Sequence, residues 1–121
     1  MRTVIKRTLK YLTEHPNVSR TSILHDWGTG RSTDNMQNAI NAFDAILQQI
    51  LSDEKSRFLA GHIFCTACQA FFMRSDVLFE TRGMGIFDAK VQEAFVDDLV
   101  CAVLNGLRKE EPSDAKKEIS D

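Results

Sequence analysis

The sequence is poor in the features that mark most specialised proteins. It has no apolar run approaching the ~18 residues that a membrane-crossing helix needs. Its opening, MRTVIKRTLK, lacks the apolar core of a secretory signal. Basic residues do not dominate: 15 Lys and Arg stand against 17 Asp and Glu, a net charge of -2, which argues against a general nucleic-acid binder. Cysteines number 3, an odd count that fits free thiols in a reducing compartment rather than a disulfide framework. A cytoplasmic location is expected, with no membrane partner. Prolines number 2 and glycines 6, and no alternating apolar–polar stretch of useful length occurs, so strands are not expected. Catalytic material is also thin. There are 3 histidines and no recognisable serine–histidine–acid or paired-carboxylate arrangement. The GTGRS stretch at 28–32 lacks a lysine and follows no strand, so it is not a phosphate loop. Neither an enzyme nor a cofactor is expected.

What is present is helical periodicity. The 121 residues are 43% hydrophobic and 26% charged, the composition of one folded domain. Apolar residues spaced by three and four predict an all-α fold of about five helices: 3–14, 18–27, 33–51, 54–74 and 89–108. His15 before Pro16 ends the first helix, because the residue preceding proline avoids helical geometry. Gly28 and Gly30 break the second, and Asp53 and Asp88 are suited to cap the last two. The segment 75–88, with Arg82, Gly83 and Gly85, is expected as a loop. Residues 1–108 then form the domain, and the charged segment 109–121, with Pro112, is expected to be a disordered tail.

The last two predicted helices carry more apolar surface than one core requires. A helix covering a single core needs a stripe of roughly 100°. On an ideal helical wheel the apolar residues of 89–108 sweep about 200°. In 54–74, FLAGHIFCTACQAFFM leaves only His62, Thr66 and Gln69 as a narrow polar strip. A second copy of the chain can cover the excess, because a two-fold dimer packs one surface against itself. Two helices from each protomer would form an intermolecular four-helix bundle. Its expected interface is Ala60, Ile63, Ala67, Phe71, Phe95, Leu99, Val103 and Gly106.

The order of these features resembles the C-terminal regulatory domain of TetR-family transcriptional regulators. KYLTEHPNVSR resembles that domain's first long helix, its proline break and the short helix after it. DNMQNAINAFDAILQQIL resembles the next long helix. AGHIFCTACQAFFM and AFVDDLVCAVLNGL resemble the final pair, which in the family forms the dimer bundle. The resemblance covers residues 1–108 and rests on helix order and apolar pattern. It implies a ligand-sensing and dimerisation domain, with a homodimer and an unidentified small, largely apolar effector as partners. The family's helix-turn-helix module would precede residue 1, so this chain is expected to reach DNA only through a module it does not contain.

Two other readings start from the residues themselves. The segment 31–38, opening after Gly28, can be read as the recognition helix of a small helix-turn-helix protein. Asp34 in the phosphate-facing position and the near-neutral local charge argue against that. A plain helical interaction module is the other. For an effector, the expected pocket is apolar with a few polar groups: Trp27, Met36, Phe43, His62, Thr66 and Gln69. His62, Cys65 and Cys68, at three-residue steps on one helix, contain metal-ligand chemistry. No second pair accompanies them, and packing by small thiols accounts for the spacing, so no metal is expected.

Overall fold

Helices are the only regular elements among the described residues, 1–30, 34–83 and 85–109, of a computed structural model of the chain. For residues 34–36, 108 and 109 only the backbone is described. The chain is all-α: α1 (Arg2–Glu14), α2 (Pro16–Thr29), α3 (Asp34–Leu47), α4 (Glu54–Met73), α5 (Ser75–Arg82) and α6 (Ala89–Lys109). The expected tail beyond 109 lies outside the described residues. None of the helices is long and apolar enough to cross a membrane, among the described residues.

Local chemistry sets the boundaries. α1 stops at His15, in a non-helical conformation, and Pro16 opens α2 as its first residue. Proline is well placed there, since its fixed φ suits the first turn and its missing N–H would be unpaired anyway. α2 runs through Gly28 and turns at Gly30, whose φ of 70° is the left-handed conformation glycine tolerates. α3 ends at Leu47, earlier than the periodicity suggests. Tighter bonds follow, Gln49 N–H to Ile46 O and Ile50 N–H to Leu47 O, and they swing the fully buried Leu51 into the core. Asp53 caps α4, accepting from Ser56 N at 3.1 Å and Ser56 Oγ at 2.8 Å. Those hydrogen bonds hold its carboxyl below the ordinary value of 3.8. Asp88 does the same for α6, accepting from the N–H of Lys90 at 2.8 Å.

One element departs from the expected loop at 75–88. Arg74 breaks the helical run, and Ser75–Arg82 continues as the two-turn α5, closed by Gly83 at φ 65°. Val77, Leu78 and Phe79 are contiguous, so the segment shows no helical stripe in sequence.

α4 is the hub. It packs against α1, α3, α5 and α6, which explains why its apolar residues occupy most of its circumference. Phe43 of α3 meets Phe64 of α4 with ring centroids 6.0 Å apart. Ile5 and Leu9 of α1, and Val96, Val100 and Leu104 of α6, join the same core. Each large apolar side chain fully removed from water contributes about 1.5–3 kcal/mol. Arg57 ties the α3–α4 corner, donating to the carbonyls of Leu51 and Ser52 at 3.1 and 3.0 Å.

Candidate functional site

A cavity of about 360 Å³ lies between α1, α2, α3 and α4. Each helix presents one face to it. From α1 come Val4, Arg7, Thr8, Tyr11 and Leu12; from α2, Val18, Ser19, Ser22, Ile23 and Asp26; from α3, Ala39 and Ala42; from α4, Cys65 and Gln69. The spacings are those of one helical face, i, i+3, i+4, i+7. The void has a plain cause. Where a core would place leucines, Ala39, Ala42, Ser19 and Ser22 present side chains too small to meet across the gap. The volume falls within the roughly 300–1,000 Å³ of small-molecule sites.

The wall is mostly apolar, with a few polar groups held in place. Asp26 is 6% exposed and Gln69 is 7% exposed. Gln69 is oriented by Trp27, whose indole N–H donates to its Oε1 at 3.1 Å. Ser19 is 3% exposed, and its Oγ has no hydrogen-bond partner among the described residues. That is unusual within this fold. The hydroxyls of Thr8, Thr21, Thr29 and Thr81 each donate to the carbonyl four residues earlier. Burial pushes the Cys65 thiol up to about 11, and the negative charge of Asp26 adds to the effect. Cys68, behind it, is pushed to about 12 by burial and by the neighbouring Cys65.

The sequence-predicted pocket residues are distributed as follows. Trp27 and Gln69 are brought together beside the cavity. Phe43 is fully buried in the core. His62 is half-buried; its Nδ1 lies 2.8 Å from Phe58 O and its ring 4.1 Å from that of Phe58. Thr66 is exposed, and the side chain of Met36 is outside the described residues. No group of three or more metal-ligating side chains occurs among the described residues. Ser19, Ser22 and Asp26 were not anticipated. Their spacing was a signal, since a helix whose buried face reads Ser-Ser-Ile-Asp is not shaped to fill a core. In the helix-turn-helix reading, Gly28 lies inside α2 rather than in a turn, and Arg31 and the side chains of 34–36 lie outside the described residues.

A second feature runs along α4 and α6. Leu59 and Ile63 of α4 face Ala102, Val103, Gly106 and Leu107 of α6 across an open groove, with Asp53, Lys55 and Ser56 at its end. Leu59 is 49% exposed and Ile63 36%. Of the other residues expected at a dimer interface, Ala67, Phe95, Leu99 and Val103 are half-buried and Gly106 is exposed. Ala60 and Phe71 are covered by the chain's own helices, Phe71 stacking on Phe95 at 4.2 Å.

Fold and site together define an all-α domain with a lined cavity on one side of its central helix and an unfilled apolar groove on the other. Comparison of the chain with known protein families, curated proteins and solved structures finds no match.

Proposed function

We propose that this chain is the ligand-sensing and dimerisation domain of a transcriptional regulator of the TetR type, responding to a small, largely apolar effector. The observation that carries the reading is the cavity between α1 and α4, a mostly apolar chamber with a few fixed polar groups. α4 gives the reading its mechanism. One of its faces supplies Cys65 and Gln69 to the cavity, and another supplies Leu59 and Ile63 to the groove where a second copy would pack. A ligand that fits one setting of α4 better than another shifts the population of the two settings. The dimer geometry, and with it the DNA affinity of an attached helix-turn-helix module, follows. The chain acts by binding rather than by catalysis in this account.

The test is a calorimetric titration of the purified chain with naphthylmethanol, a neutral bicyclic probe, monitored in parallel by fluorescence. Trp27 is the only tryptophan, and it sits on Gln69 at the cavity wall, so occupancy should change its emission. Saturable binding with one site per chain is expected, together with a dimer by light scattering. A chain that binds no member of a naphthyl probe series refutes the sensing role, and a monomer at micromolar concentration refutes the dimer.

A further inference from the structure

We infer that the effector is an alcohol or a phenol, an apolar body whose hydroxyl pairs with that of Ser19. The inference rests on the sensing role proposed above and names the chemical class of the molecule sensed.

Ser19 lies on the cavity face of α2, at the spacing that also brings Ser22, Ile23 and Asp26 to the wall. Its Oγ is buried and has no hydrogen-bond partner among the described residues. The carbonyl four residues earlier, His15 O, accepts the Ser19 backbone N–H at 2.9 Å, and the hydroxyl does not join it. Other polar groups around the chamber are engaged within the protein. Thr8 Oγ1 donates to Val4 O at 2.9 Å, Gln69 Oε1 accepts from the Trp27 indole at 3.1 Å, and Asp26 also interacts within the protein. A buried hydroxyl without a partner costs free energy in the empty protein, and a molecule in the cavity that supplies one recovers it.

The chemistry of that molecule follows from the chemistry of the serine. A serine hydroxyl offers one donor and two acceptor lone pairs, and a second hydroxyl can answer either side. A carbonyl or ether oxygen answers the donor alone. An ammonium or carboxylate seated there would lose far more hydration than one neutral hydroxyl restores. A plain hydrocarbon leaves Ser19 as it was. Val4, Leu12, Ile23, Ala39 and Ala42 offer the rest of the molecule an apolar wall.

Two probes of one shape test the claim: naphthylmethanol and ethylnaphthalene, measured by calorimetry with the protein titrated into the ligand. Ser19→Ala should weaken naphthylmethanol at least about tenfold, because the alcohol's hydroxyl is then buried without its partner, and leave ethylnaphthalene within about threefold. Ser19→Thr keeps a hydroxyl and should hold the wild-type ratio of the two affinities within about threefold. An alcohol affinity that Ser19→Ala leaves unchanged, or that falls together with that of ethylnaphthalene, overturns the inference and leaves the sensing role standing. So does a ratio that falls in Ser19→Thr as far as in Ser19→Ala. Should Ser19→Ala not fold, the wild type decides: naphthylmethanol must bind within about tenfold of ethylnaphthalene, since a hydroxyl buried there without a partner would put it further behind. Binding of neither probe to the wild type removes both the inference and the sensing role.

Discussion

Replacing Ser19 with alanine should make the empty protein more stable, the reverse of the usual effect of a buried substitution. Three terms decide the sign. The hydroxyl is buried without a partner among the described residues, and relieving such a group returns about 1–2 kcal/mol. Ser19 lies inside α2, where alanine is the better helix former by about 0.5 kcal/mol. Against these stands the loss of one oxygen's dispersion contacts, a handful at about 0.1–0.2 kcal/mol each. No new void of consequence opens, because the residue already borders one. The net is a gain of about 1 kcal/mol, or about 4 °C in Tm for a domain of this size. Urea denaturation and calorimetry of the ligand-free chain measure it. Thr21→Ala is the control, since that hydroxyl is exposed and bonded to Asn17 O, and its effect should stay within about 0.5 kcal/mol. A Ser19→Ala variant less stable than the wild type would refute the reasoning, because it would show that the hydroxyl has a partner in the folded protein.

Further outcomes follow from the same geometry. Ile63→Glu places a charge at a position already 36% exposed in the protomer, so helicity should persist while light scattering reports a monomer; a dimer that tolerates it does not use the α4–α6 groove. Ala39→Leu should fill the cavity and cut naphthylmethanol affinity at least about tenfold, with stability changed by no more than about 1 kcal/mol. Unchanged affinity would put the probe elsewhere. Of the three thiols, exposed Cys101 should react with a disulfide reagent in the native protein, with Cys65 and Cys68 reacting only in urea. The pH dependence has a definite sign. The folded thiols of Cys65 and Cys68, at about 11 and about 12, keep their protons where unfolded ones, at 9.0, have lost them. The unfolded chain then binds fewer protons, so stability should fall as pH rises from 9.0 towards about 11. A urea midpoint that is flat across that window would contradict the burial of both thiols.

How much of this was legible in the sequence depends on the kind of signal each feature leaves. Ile40, Phe43 and Leu47 repeat at three and four residues because α3 lies on the core along one face, and the same holds for Val96, Val100 and Leu104 in α6. The caps were legible because an N-cap is a local contract between neighbours: Asp53 needs only Ser56, and Asp88 only the N–H groups two and three residues on. α5 was not, since two turns give too few residues for a period to register. The cavity is the instructive case. In α2 the hydrophobic residues point the wrong way: Leu24 and Trp27 are exposed, and the buried side is Ser19, Ile23 and Asp26. Reading apolar residues as the inward face therefore rotates this helix and places a pocket among Phe43, His62 and Thr66 instead. Apolar period reports which surfaces leave water. A cavity is made where small side chains on separate helices face each other and fail to touch, and Ala39 and Ala42 carry no mark of what stands opposite them. What the sequence did hold was the wrong polarity for a core: two serines and an aspartate at the spacing of one helical face. A stripe like that cannot fill space, and it is stable only if it lines a space that something else can fill.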